Sequence, residues 1–233
     1  MNMLVKLKSS LVTSFKQYDW NRLRWKNLDR TKLYIAFRSM MHPFKAFHEV
    51  KFNGRSSVLI AMVLFFLNFA VQVFSYSGVG FIFNMNRPED FNIWSEFLQS
   101  NILIILWCVF NWATTTLLDG EGSFKQIWVV TNYAMLPRVI FMPIIIIVSN
   151  MLCVEEMMFY TMAETLITVW TLLLILIGLI TIHQFSLLKT ILSSVLTILL
   201  IVFFLFIILL FVSIAQQFIT FVQTVISELM LRS

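Results

Sequence analysis

Charge is scarce in this chain. Asp, Glu, Lys and Arg make up only 12% of its 233 residues, about half the share of an ordinary soluble domain. A globular surface needs more polar cover than that, so a water-soluble fold is excluded. A bilayer accepts the 59% of hydrophobic residues and the mean hydropathy of +0.85 directly. Histidine is scarcer still. His42, His48 and His183 all fall at or outside the ends of the long apolar runs. The first two lie about 240° apart around a helix, so they share no face for a metal. The aspartates are Asp19, Asp29, Asp90 and Asp119, all in polar stretches, which removes an intramembrane aspartyl dyad. Cys108 lies inside an apolar run and Cys153 in a loop, so neither a disulfide nor a thiolate metal site is expected. No HExxH, GxSxG or P-loop pattern occurs. The first twenty residues hold no apolar core of a cleavable signal peptide. No cofactor is implied, and an enzyme is not expected.

Long apolar runs are what the chain has instead. A hydrocarbon core of about 30 Å needs roughly 20 helical residues. Five runs reach that length, at 57–76, 97–118, 126–151, 163–182 and 190–215. The reading is an all-α integral membrane protein, a bundle of about five transmembrane helices over 41–215. A basic amphipathic tail (1–40) precedes it. A short amphipathic extension (216–233) follows, striped by Phe218, Phe221, Val222, Val225 and Leu229.

The few charges are unevenly placed. Residues 1–55 hold twelve cations against Asp19, Asp29 and Glu49, a net +9, while the remainder is −4. With the N-terminus inside, the inner loops add Lys125 and Lys189, and only Arg87 and Arg232 fall outside. The positive-inside rule therefore predicts a cytoplasmic N-terminus and an external C-terminus. A basic tail beside an anionic leaflet accounts for its own charge, so anionic lipid is the expected partner and nucleic acid is not. Leu4, Leu7, Leu11, Phe15 and Tyr18 recur at helical spacing among lysines, and Leu33, Phe37, Met40, Phe44 and Phe47 repeat the stripe. Both suit amphipathic helices lying on the membrane surface or on the inner ends of the bundle, with a break or fresh start at Pro43.

The third run is interrupted by Pro137 and Pro143, so a broken or kinked span packed inside the bundle is expected around Tyr133. The freed carbonyls would be met by neighbours such as Asn111 or Thr114. Arg138 is the one deep cation, and it is expected to snorkel toward phosphates or the Asp119/Glu121 turn, or to bond those carbonyls. Asn68, Gln72, Asn111, Thr114, Thr131 and Asn132 are further polar residues within spans. Interhelical hydrogen bonding explains them at about 0.6 kcal/mol each, and a polar solute pathway is the alternative. Asp119-Gly120-Glu121-Gly122 lacks the lysine of a phosphate loop and carries two carboxylates, so it reads as a tight turn.

Taken in order, His42-Pro43-Phe44-Lys45-Ala46-Phe47, the DGEGSFK turn, Tyr133-Ala134-Met135-Leu136-Pro137, Trp170 and His183-Gln184-Phe185 give the chain its resemblance. From about Met41 to Ala215 it resembles the Yip domain family of five-span membrane proteins, in its bacterial branch. The resemblance implies a non-enzymatic protein with a cytoplasmic N-terminus. It also implies a scaffold or accessory subunit with a membrane-protein partner such as a transport complex, in a bacterial plasma membrane. Eukaryotic relatives would place it in endoplasmic reticulum or Golgi membranes, where GTPase binding names the family. The alternative function is a small-solute transporter or channel subunit. Its candidate structural or interaction residues are Asn111, Asp119, Gly120, Glu121, Gly122, Tyr133, Pro137, Arg138 and His183.

The loop charges generate a topology prediction. In a cysteine-less background, single cysteines at Ser123 or Gln184 are expected to resist an impermeant thiol reagent in intact cells. One at Glu156 is expected to label. The reverse pattern would overturn the N-in arrangement.

Overall fold

Prolines, capping residues and run lengths cut the chain into helices in the computed structural model, which describes residues 30–54, 56–84 and 91–232. The stripe from Leu4 to Tyr18 lies outside the described residues. Arg30–Met41 (α1) and Pro43–Phe52 (α2) are separated at His42, because Pro43 has no N–H to extend α1 and suits the first helical position. Ser57 caps Val58–Gly78 (α3) by accepting from the Ile60 N–H, and Asn92 caps Ile93–Leu117 (α4). A reciprocal Ser123/Gln126 capping box starts Phe124–Ala134 (α5). Leu136–Ser149 (α6), Met157–His183 (α7) and Leu187–Arg232 (α8) complete the order. The described residues contain no strand. Five segments are long and apolar enough to cross a membrane, with α5 and α6 together forming the third.

The core gathers where α5 and α7 meet the α1–α2 hairpin and the start of α3. Phe47, Val50, Ile35, Val129, Val130, Tyr133 and Ile182 are all buried in one cluster. A Cβ on Gly178 would collide with Val130 and lie 3.4 Å from Phe47, so glycine there lets α7 close on α5. Of the stripe Leu33, Phe37, Met40, Phe44 and Phe47, Phe47 lies in the core and Met40 is half-buried, whereas Leu33, Phe37 and Phe44 do not face the bundle. Those three are exposed, and the buried face is Ile35, Ala36, Ser39, Ala46, Phe47 and Val50. Ala36, Ser39 and Ala46 on that face let the helices approach closely, and Ile35, Phe47 and Val50 fill the space beside them. At the opposite end of the bundle the Gly80 N–H donates to Ser149 Oγ at 2.8 Å, and Asn150 Nδ2 to the Gly78 carbonyl at 2.8 Å.

The third span breaks at Met135, whose N–H bonds the Asn132 carbonyl at 3.2 Å before the helix resumes at Leu136. Pro137 sits in the first turn of α6, and Pro143 lies inside α6 without ending it. Asn111 and Thr114 do not serve the break. Their side-chain N and O atoms are buried and make no hydrogen bond. Trp112 lies against Phe124 (ring centroids 6.2 Å), which places that part of α4 beside the start of α5, well short of Tyr133. Tyr133 instead clamps the start of α3. Its hydroxyl accepts from the Ser57 N–H at 3.3 Å and approaches the Ser57 carbonyl at 3.5 Å. Arg138 reaches neither the Asp119/Glu121 turn nor a freed carbonyl; Nη2 donates to Gln72 Oε1 at 2.9 Å. Arg138 stands fourteen residues beyond Phe124, about 21 Å along the helix, too far for its side chain to span.

The last span and its extension form one helix. α8 has 46 residues, a length of about 69 Å. No Gly or Pro follows Gly178, so nothing in the sequence breaks it. Thr190, Ser193, Ser194, Thr197 and Ile201 are buried, and Phe204 meets Phe110 of α4 at 5.1 Å. Beyond that contact α8 leaves the bundle.

The Arg138–Gln72 bond makes a specific prediction. Gln72→Leu strands a partly buried guanidinium and is expected to cost about 1–3 kcal/mol in detergent melting experiments. The double variant Gln72→Leu/Arg138→Met should return most of that loss, because both polar partners are then gone. Equal loss in both variants would show that the pair contributes only volume.

Candidate functional site at the turn-bearing end of the bundle

The four residues Asp119-Gly120-Glu121-Gly122 turn the chain from α4 into α5. Asp119 takes the left-handed conformation (φ 59°), and the Gly120 N–H returns to the Thr115 carbonyl at 2.7 Å. That is a Schellman-type ending, which satisfies carbonyls left open by the last turn of α4. The glycines are there for a second reason. A Cβ on Gly120 would lie 2.7 Å from His183 Nδ1, and one on Gly122 would lie 2.6 Å from Ile182 and 2.7 Å from His183 Nδ1. The turn is wrapped around the histidine.

His183 is the last residue of α7 and is almost fully buried. Its Nδ1 accepts the Gly122 N–H at 3.3 Å, so this nitrogen carries no proton and the ring is neutral with hydrogen on Nε2. Its face stacks on Phe185 at 5.4 Å. Gln184 between them is left-handed (φ 55°), which ends α7 and brings Phe185 back under the ring. Lys189 Nζ lies 4.1 Å from the Phe185 centroid, a cation–π contact. From the other side Lys51, near the end of α2, donates to Glu121 Oε2 at 2.6 Å. The Lys51 side chain is 8% exposed and that of Glu121 65%. Gln126 Nε2 adds a long bond to the Lys51 carbonyl at 3.5 Å, and Arg38–Glu49 at 3.2 Å ties α1 to α2.

Four elements thus meet in one knot: the end of α2, the α4–α5 turn, the end of α7 and the start of α8. Its interior is His183, Gly122 and Phe185. Its exposed rim is Asp119, Glu121, Ser123, Lys125, Gln184 and Lys189. No carboxylate among the described residues is hydrogen-bonded to His183, whose Nδ1 is occupied by the Gly122 N–H. Among the described residues no group of three His, Cys, Asp or Glu could hold a metal, and Cys108 and Cys153 are both free thiols. What the knot presents is a fixed polar surface of mixed charge.

The structure brings Asp119, Gly120, Glu121, Gly122 and His183 together. It leaves Tyr133, Pro137 and Arg138 in the third span and Asn111 buried on α4. Lys51, Gln126 and Lys189 join the knot without having stood out in the sequence. Gln126 had a local signal as the third residue after Ser123, whereas Lys51 meets Glu121 only through the docking of α2.

Residues 37–210 match the family model described as the Yip1 domain, a stretch that takes in every residue of the knot. No curated protein and no solved structure matches the chain.

The packing of the turn on His183 is testable by melting. Gly122→Ala is expected to cost about 1–3 kcal/mol through overpacking, and His183→Ala in the same protein should recover part of it. Glu121→Gln leaves the Lys51 ammonium, whose side chain is 8% exposed, with only a neutral acceptor and should cost about 1–3 kcal/mol. A Gly122→Ala protein as stable as wild type would refute the wrapped-turn geometry.

Proposed function

The chain belongs to the Yip1 domain family of multi-pass membrane proteins, and on that premise we propose that it is a non-enzymatic scaffold or accessory subunit of a membrane complex. The observation that carries this reading is the knot itself. Its interior is locked by His183–Gly122 packing, while Asp119, Glu121, Lys125 and Lys189 stand in fixed positions on its rim. A surface held rigid before contact loses little entropy on docking, which favours a protein partner with complementary charges. The charge distribution supports placing this end and the N-terminal tail in the cytoplasm of a bacterium. The tail's cations would then hold anionic lipid of the inner leaflet, each contributing about 1 kcal/mol near the surface.

One observation favours a second reading. Both side-chain polar atoms of Asn101 and of Asn111 are buried on α4 without a hydrogen-bond partner, and Asn68 Oδ1 is likewise unpaired on α3. Such groups inside a bundle suit a small-solute transporter or channel subunit.

The two readings separate in one experiment. Tagged full-length protein, extracted in mild detergent from native membranes, is expected to bring down a stoichiometric partner. Charge reversal on the rim, Asp119→Lys with Lys189→Glu, should abolish that recovery while leaving the melting temperature within a few degrees. A protein that purifies alone and moves solute in liposomes, with flux lost in Asn111→Leu, would replace the scaffold reading by the transporter.

A further inference from the structure

Past Phe204 the apolar face of the long helix α8 is exposed. Ile208, Phe211, Phe218 and Val222 are exposed at 40%, 70%, 67% and 37%. The sequence there nonetheless keeps an apolar seam, with a polar far side from Gln216 to Ser227. Ile208, Ala215, Val222 and Leu229 recur every seven residues, and Phe211, Phe218 and Val225 fall three residues after the first three of them. These are the a and d positions of a heptad, all apolar over three repeats. Gln216, Gln217, Thr220, Gln223, Thr224 and Ser227 occupy b, c and f, the far side of the helix.

The seam does not begin at Ile208. Traced backward in the same register it runs through Phe204, Ile201, Thr197, Ser194 and Thr190, the residues α8 already buries in or packs against the bundle. One continuous stripe thus serves two partners in turn. Its first half is covered by α4 and its neighbours, and its second half is exposed at Ile208, Phe211, Phe218 and Val222.

We infer that the second half of α8 pairs with the same segment of a second copy, forming a parallel helical bundle that makes the protein a homo-oligomer. Copies inserted in one membrane share orientation and depth, so identical α8 segments meet parallel and in register about an axis along the membrane normal. A heptad seam needs that register, and the bilayer supplies it. A lipid-surface role fits less well. Helices that lie on a membrane carry Lys or Arg on the polar face. Here no cation occurs between Lys189 and Arg232, and the polar face is Gln, Thr and Ser. A helix leaving a span for the surface must also bend, and α8 continues unbroken to Arg232. Apolar residues at e and g, among them Ile214, Ile219, Phe221 and Ile226, widen the stripe enough for more than two helices to pack.

The test is oxidative cross-linking of the full-length protein in native membranes. Cys153 is replaced by serine, and Cys108 stays because it is wholly buried. Single cysteines then scan Ala215, Phe218 and Val222 on the seam against Thr220, Thr224 and Gln217 on the far side. Copper-phenanthroline is expected to yield a product of twice the chain mass several-fold more efficiently at the seam positions. In detergent, the particle mass of the otherwise unmodified protein should be a multiple of the chain mass. Val222→Glu should lower it to that of a single chain, and Thr220→Glu should not. Uniform cross-linking around the helix, no dimer at any position, or adducts whose mass is not a multiple of this chain would each overturn the proposal.

Discussion

No water reaches the hydrocarbon core, so every backbone polar group there must be satisfied within the protein. That constraint governs where this chain can be irregular. Its one break inside a span, at Met135, lies in the span with the greatest burial: half of the apolar window of α5–α6 is covered, against 6% for α8. Around the break stand the α1–α2 hairpin, α3 and α7. The Tyr133–Ser57 contact and the Arg138–Gln72 bond hold α3 on either side of it. A span that must bend is placed at the centre, and spans that need not bend are left to the lipid.

The knot follows from the same accounting at a helix end. α4 and α7 both stop with open carbonyls, and each is closed by a left-handed residue, Asp119 and Gln184. Because the two endings are adjacent, the turn from one can enclose the side chain that terminates the other. Gly120 and Gly122 provide the room, and His183 fills it. On the rim Ser123 Oγ accepts the Gln126 N–H and Gln184 Nε2 donates to the Thr181 carbonyl, while among the described residues no backbone bond engages the Asp119, Glu121 or Lys189 side chains. Glu121 shows the division: one oxygen engages Lys51 while most of the carboxylate stays in solvent. A surface built this way can contact a partner without loosening the helices beneath it.

Much of this was legible in the sequence, because the relevant signals are local. Run length located five spans, Pro43 and Pro137 located the helix interruptions, and Asp119-Gly120-Glu121-Gly122 announced a turn. The partners were not legible, because they lie far apart in the chain. Gln72 and Arg138 are separated by 66 residues and Lys51 and Glu121 by 70, and no periodicity relates them. The stripe on α1 and α2 was legible only in part, for a different reason. Hydrophobicity picked out Leu33, Phe37 and Phe44, but in a membrane bundle large apolar side chains are equally at home facing lipid. Close packing selected Phe47 from that stripe, together with Ile35, Val50 and the small residues Ala36, Ser39 and Ala46.

The same distinction explains the polar residues along the seam of α8. Thr190, Ser193, Ser194 and Thr197 are buried where α8 packs on the bundle, and the hydroxyls of Thr190, Ser193 and Thr197 bond back to carbonyls of their own helix. A small hydroxyl satisfied within its own helix presents a nearly apolar, low-profile surface, which allows close approach without an unpaired donor. From Ile201 outward the seam is Phe, Ile, Val and Leu except at Ala215, residues that mostly fill space rather than save it. The change falls where α8 parts from α4 at Phe204. The first half of the seam is shaped to let another helix come near, and the second half to reach across to one that stands farther away.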